Sequence, residues 1–267
     1  MSISVLIQTH NEEKHIEACI HSAKLLTDNI VVVDMESTDK TIELAKKLDI
    51  ETYMFPYSHC VEPAREFGIR KANTSWVMIL DADERITKEL AKEIKIVVNR
   101  EFTLSEAEGS KVDSKKEEIT HYKIPRKNMF GGTKWLKHGG WWPDYQIRLI
   151  NTEAFITWPN NIHSTPQIKG NIGYLTSPFI HQFHGNLTSM VQKTIVFENI
   201  EAELLFRAKK SVSTFTFFRK FLGELWRRLL KEKGFLDGEI GIIESIYQAF
   251  SKTITYLFLY EKKRRTV

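Results

Sequence analysis

Trp76-Val77-Met78-Ile79-Leu80-Asp81-Ala82-Asp83-Glu84 decides the fold: five apolar residues run without a break into three carboxylates. A short apolar run of this kind reads as a strand buried on both faces. Such strands belong to parallel α/β sheets, which hold their ligands just beyond the strands' carboxyl ends. Two carboxylates one residue apart at that end can reach a divalent cation and the diphosphate it binds. They can equally end a strand by facing water.

The pattern repeats upstream. Ser4-Val5-Leu6-Ile7 reads as a first buried strand, stopping at Gln8-Thr9-His10-Asn11-Glu12-Glu13. A helix is expected from about Glu12 to Leu26, with Ile16, Cys19, Ile20 and Ala23 at helical spacing. Asn11 suits its N-cap and Glu12 its first turn, or Thr9, Asn11 and Glu12 rim a nucleotide pocket. A second strand, Asn29 to Val33, ends at Asp34, and Ser37 or Thr38 can cap a helix over Thr41–Leu48. A strand at Glu51–Phe55 and a helix at Glu62–Lys71 follow. Strands alternating with short helices imply right-handed crossovers and a parallel sheet, so the loops after three strands converge on one edge.

Four ordered motifs carry a family resemblance. Thr9-His10-Asn11-Glu12-Glu13, Val31-Val32-Val33-Asp34 with Ser37-Thr38-Asp39-Lys40-Thr41, Ala64-Arg65, and Leu80-Asp81-Ala82-Asp83-Glu84-Arg85 resemble the motifs of family 2 glycosyltransferases. Gly140-Trp141-Trp142-Pro143-Asp144-Tyr145-Gln146-Ile147-Arg148-Leu149-Ile150 and Gly234-Phe235-Leu236-Asp237-Gly238 are similar to segments of the WaaE-like branch, which acts on bacterial lipopolysaccharide core. The resemblance implies a GT-A (Rossmann-like) fold: a mostly parallel central sheet flanked by helices, with a helical C-terminal extension. It implies a catalytic domain over 1–205 and an extension over 206–267. The activity implied is an inverting transfer from a nucleoside diphosphate sugar, UDP-sugar first, to a glycan or lipid-linked acceptor of the cell envelope.

The same resemblance assigns residues. Thr9, Asn11 and Glu12 lie by the nucleotide, Asp34 by base or ribose, and Arg65 by ribose or diphosphate. Asp81 stands on the ribose side and Asp83 ligates Mg or Mn, with His181 of Phe179-Ile180-His181-Gln182-Phe183-His184 completing the cation's shell. His163 is a weaker candidate for acceptor or diphosphate contact. Met35, Glu36 and Glu66 depart from the relatives' pattern, which leaves base and ribose recognition open.

An inverting displacement needs a carboxylate to take the acceptor hydroxyl's proton. Asp144 is the candidate, set among Trp141, Trp142 and Tyr145, which can stack on sugar faces and desolvate a carboxylate. The other reading pairs Asp144 with Arg148 in a structural loop. Glu84 is the second candidate base, or it caps a helix starting near Thr87. Arg148 can also clamp a phosphate.

Composition bounds the rest. The 267 residues and 42% hydrophobic content suit one α/β domain with appendages. Cys19 and Cys60 are too few for a disulfide framework. Glu101–Thr120 breaks the apolar pattern and reads as a mobile linker, and Gly131-Gly132 with Gly139-Gly140 frame a hairpin-like insertion. No signal segment precedes Ser4 and no apolar run approaches the roughly eighteen residues of a spanning helix, so a cytoplasmic location is expected.

The net charge of +4 conceals an asymmetry: residues 207–267 hold 14 Lys+Arg against 6 Asp+Glu. Phe215–Leu222 and Leu225–Lys231 mix aromatic and basic residues on expected helices, and a later helix over Ile240–Tyr260 ends in Lys262-Lys263-Arg264-Arg265. This composition suits peripheral attachment to an anionic membrane surface. The alternatives are helices that cover the catalytic domain or pair two copies of the chain as a homodimer. No nucleic-acid motif accompanies the basic residues. Two rival functions share these features: a sugar-phosphate nucleotidyltransferase, and a non-catalytic membrane-associated scaffold.

Overall fold

The computed structural model describes residues 2–58, 60–107, 119–160, 164–183 and 187–265. The chain forms two compact units, Met1–Arg126 with Tyr145–His181, and Lys127–Asp144 with Gln182–Val267.

The first half alternates strand and helix as its pattern dictates: β1 (Ile3–Thr9), α1 (Ile16–Ala23), β2 (Ile30–Asp34), α2 (Thr41–Lys47), β3 (Glu51–Met54), α3 (Glu62–Lys71) and β4 (Trp76–Asp81). After β5 (Glu84–Arg85) and α4 (Lys88–Ala107) come mainly strands: β6 (Ile119–Phe130), β7 (Lys134–Trp135), β8 (Asp144–Asn151), β9 (Phe155–Thr157), β10 (Gln167–Ile168), β11 (Asn171–Tyr174) and β12 (Phe179–Phe183). The main sheet runs β3-β2-β1-β4-β8-β6-β12-β5, with β11 and β7 also pairing with β6. β1 to β4 are mutually parallel, whereas β4 meets β8 antiparallel, Met78 facing Leu149. This is the expected α/β sheet of GT-A type.

Side chains alternate across a strand, and the core follows that period. Val5, Ile7, Val32, Met78 and Leu80 pack on one face with Ile16, Ile20 and Leu90. Leu6, Val31, Val33, Val77 and Ile79 pack on the other with Ala64 and Ile69 of α3. Cys19 is fully buried on α1, as its spacing predicts. Gly68 lets α3 close on β1, for a Cβ there would stand 2.3 Å from a Leu6 methyl carbon.

Three local expectations are corrected. α1 begins at Ile16 rather than Glu12, and Asn11 is not its N-cap. Asn11 adopts a left-handed φ of 55° and turns its side-chain Oδ1 to the loop after β2, so the first helical turn is given up to hold two loops together. α4 continues past Arg100 to Ala107 and β6 takes Ile119 and Thr120; the rest of the expected linker, residues 108–118, lies outside the described residues, as does His163. Glu84 does not cap α4, because Thr87 Oγ1 accepts the Leu90 N–H at 3.1 Å. The glycine-framed hairpin forms, Gly131 and Gly132 turning with positive φ between β6 and β7.

The second unit is mainly helical: α5 (Leu187–Arg207), which runs across residue 205, then α6 (Thr214–Leu225), a π-helical continuation (Trp226–Lys231), a 3-10 turn (Gly234–Asp237) and α7 (Glu239–Arg265). α7 is flanked by both partners. Ser251 and Thr255 donate to Glu198 of α5, while Tyr260 packs edge-on against Phe217 of α6 at 6.1 Å. Asp237 fastens the 127–144 segment to these helices: its carboxylate accepts the backbone N–H groups of Lys137 (2.9 Å) and His138 (2.8 Å) and meets His138 Nδ1 at 2.9 Å. Arg228 adds a bond to the Gly139 carbonyl at 2.9 Å and lies 5.1 Å over the Trp141 ring. No helix among the described residues is long and apolar enough to cross a membrane.

Candidate active site

The carboxylates after β4 do not splay into water. Asp81 closes the strand, and both its oxygens accept from Arg65 Nη2 at 2.8 Å. Arg148 Nη2 then bridges two carboxylates, reaching Asp81 at 2.7 Å and Glu84 at 2.6 Å. The second Glu84 oxygen accepts the Asp81 backbone N–H at 3.0 Å, which closes the turn on itself. Arg85 clamps it from outside by donating to the carbonyls of Ala82, Glu84 and His15.

Burial sets the protonation of this cluster. Desolvation alone would raise the Asp81 carboxyl, but the Arg148 and Arg65 guanidiniums outweigh it and hold Asp81 well below the usual carboxylate range. Glu84 has no exposed surface, and burial together with the neighbouring Asp81 charge pushes it up despite Arg148. The two carboxylates pull the Arg148 guanidinium up against its own burial, so it stays charged. Arg148 is therefore the internal counterion of the Asp81–Glu84 turn. The sequence offered Arg148 as a phosphate clamp or as the partner of Asp144, and the structure spends it elsewhere.

Asp83, the third carboxylate of the turn, is half-buried. β12 brings His181 into antiparallel register with Glu84, and His181 Nε2 stands 3.5 Å from Asp83 Oδ2. An imidazole nitrogen and a carboxylate oxygen thus face the same space. No group of three or more His, Cys, Asp or Glu that could hold a metal occurs among the described residues.

The loops after β1 and β2 are zipped together beside this turn. Asp34 is fully buried and accepts both the Ser37 backbone N–H (2.8 Å) and its hydroxyl (2.5 Å). Asn11 donates its N–H to Ser37 Oγ at 2.8 Å and accepts the Thr38 N–H at 2.8 Å. Glu12 N–H reaches Thr41 Oγ1, also at 2.8 Å. These three residues shape the loops through backbone and side chain alike. Thr9 and Gln8 differ: Thr9 Oγ1 and both amide atoms of Gln8 are buried with no hydrogen-bond partner among the described residues. Gln8 lies in register with Asp81 on β4, so its orphaned amide is on the sheet face of Asp81.

Arg65 is held from behind. Its guanidinium stacks 5.2 Å from Trp158, whose backbone N–H donates to Glu66 at 2.7 Å. Glu66 also accepts from Thr157 and Arg70, so it serves this support. Asp144 belongs to the second unit, where it accepts from Asn128 Nδ2 at 3.2 Å and Trp135 meets Trp142 edge to face at 5.2 Å.

Residues 4–164 match the family described as Glycosyl transferase family 2. The chain belongs to that family. An uncharacterised glycosyltransferase of Rickettsia conorii is 25% identical over 99% of this chain and 92% of its own length. A counterpart from Rickettsia prowazekii is 26% identical over 94% of this chain and 84% of its own. Among solved structures, Staphylococcus aureus TarS in complex with UDP-GlcNAc aligns over 100% of this chain and 92% of that one, at 16% identity and a TM-score of 0.49. The family membership makes the chain a glycosyltransferase.

Proposed function

We propose that this family 2 glycosyltransferase is an inverting, divalent-cation-dependent enzyme that moves a sugar from UDP to a glycan or lipid-linked acceptor of the cell envelope, in the manner of the WaaE-like branch. The observation that supports it most is the Asp81–Glu84 turn, in which two arginines fix Asp81 and Glu84 while Asp83 stays beside His181. A carboxylate oxygen and an imidazole nitrogen suit Mg or Mn, whose remaining positions water and the donor's diphosphate oxygens would fill. Asp83 and His181 are the residues that would hold it. When bound, the cation neutralises charge that builds on the leaving diphosphate.

The remaining roles belong to the chain's own groups. Thr9, Asn11, Glu12 and Asp34 border the nucleotide, the first with a buried hydroxyl that bonds no group among the described residues and the others through the loops they tie. Arg65 and Asp81 face the ribose and diphosphate as an ion pair whose orientation Trp158 supports. Asp144 takes the acceptor hydroxyl's proton as that oxygen attacks the anomeric carbon and UDP departs; Asn128 fixes the carboxylate.

A labelled-donor screen with product analysis by NMR tests the reading. UDP-sugar turnover should release UDP and give product of inverted anomeric configuration. Asp144→Asn should lower kcat about a hundredfold to ten-thousandfold with donor affinity unchanged. Asp83→Asn and His181→Ala should abolish the thermal stabilisation that Mn adds to UDP. Release of pyrophosphate, retention at the anomeric carbon, or full activity in Asp83→Asn would overturn it.

A further inference from the structure

The second unit exposes a stripe of large apolar side chains. Phe215, Phe218, Leu222, Trp226 and Leu230, on α6 and its π-helical continuation, are between 54% and 72% exposed. Their spacing of three and four residues puts them on one helical face. The wider π turn keeps Leu230 in line with Trp226, where tighter winding would rotate it away. The opposite face is satisfied: Thr216 is buried, Phe217 meets Tyr260, and Lys220 Nζ lies 4.9 Å over the Tyr256 ring. The stripe is therefore the outward side of a well-seated helix.

Charge identifies what the stripe meets. Across residues 208–233 every exposed charged side chain is basic: Lys209, Lys210, Arg219, Lys231 and Lys233. The span's two acidic residues, Glu224 and Glu232, are less exposed than these, and Glu224 is ion-paired with Arg227 and Arg228. A second copy of this chain would bring like charges together across a two-fold interface, which penalises self-association. A surface of anionic headgroups over acyl chains satisfies both features at once, taking the aromatic and aliphatic side chains below the headgroups and the basic residues among them.

We infer that the Phe215–Leu230 face is a monolayer-docking surface that seats the enzyme on an anionic lipid bilayer. The inference deepens the envelope reading by naming the partner surface, and its test needs neither donor nor acceptor.

The full chain is sedimented with phosphatidylglycerol-containing vesicles and with pure phosphatidylcholine vesicles. Binding should be much stronger to the first and weaken with added salt. The triple variant Phe218→Ser/Leu222→Ser/Trp226→Ser should lose about tenfold or more of that binding. Arg219→Glu/Lys231→Glu/Lys233→Glu should remove the preference for the anionic lipid. Both variants should retain the wild-type thermal midpoint and UDP-induced thermal shift, which separates lost docking from lost folding or donor binding. Wild-type protein that ignores anionic vesicles, or a triple variant that binds them equally well, would overturn the inference. So would a wild-type dimer, seen by light scattering, that the triple variant converts to monomer.

Discussion

Arg148→Met isolates the electrostatics of the turn that carries the site. The guanidinium donates at 2.6 Å to Glu84 and 2.7 Å to Asp81. Asp81 keeps Arg65 when Arg148 is lost, so the cost falls on Glu84, which has no exposed surface and is ion-paired with Arg148. Removing one partner of a buried pair costs about 3–5 kcal/mol. For a protein of this size that lowers the thermal midpoint by about 6–20 °C. Arg148→Met/Glu84→Gln should recover much of the loss, because a neutral amide still accepts the Asp81 N–H and leaves no charge stranded. Urea denaturation of the wild type, both single variants and the double variant yields the coupling, expected to exceed about 2 kcal/mol. Strict additivity, or an Arg148→Met protein within about 1 kcal/mol of wild type, would refute the counterion assignment.

Two further outcomes follow from buried groups outside that pair. Burial pushes the Glu244 carboxyl from 4.5 up to about 7, only partly opposed by Gln248 and Arg228. The folded state thus holds this proton more tightly than the unfolded one, so the contribution is full below pH 4.5 and is lost as pH rises towards 7, by about 3 kcal/mol. Stability curves of wild type and Glu244→Gln should diverge across that window, and parallel curves would sink the assignment. Gln8→Met removes two orphaned buried amide atoms, which should raise donor-free stability by about 1–2 kcal/mol while shrinking the UDP-induced thermal shift. A destabilised Gln8→Met protein would show that the amide is already satisfied in the folded state.

The sheet was legible because its signals are local. Val5, Ile7, Met78 and Leu80 fall on one face and Leu6, Val77 and Ile79 on the other through a two-residue period that needs no knowledge of neighbours. The true start of α1 was not, because Asn11 and Glu12 are drawn off by Thr38 and Thr41, residues that become adjacent only when β1 and β2 pair. Arg148 shows the same limit. A charged residue two positions from Ile150 on a buried strand must find a partner, yet the partners, Asp81 at the end of β4 and Glu84 beyond it, lie 67 and 64 residues away in sequence, and the β4–β8 pairing unites them. Gln8 left a fainter mark, an amide directly after the apolar run Val5-Leu6-Ile7 of β1.

The Asp237 carboxylate carries a lesson for recombination. Because one side chain accepts both main-chain N–H groups at Lys137–His138, the loop that bears Trp141, Trp142 and Asp144 and the helices that end the chain form a single inheritable block. Exchanging C-terminal helices between relatives to alter where the enzyme works would unmoor that loop unless residues 127–144 travelled with them. Chimeras should therefore be cut around the pair of segments, never between them.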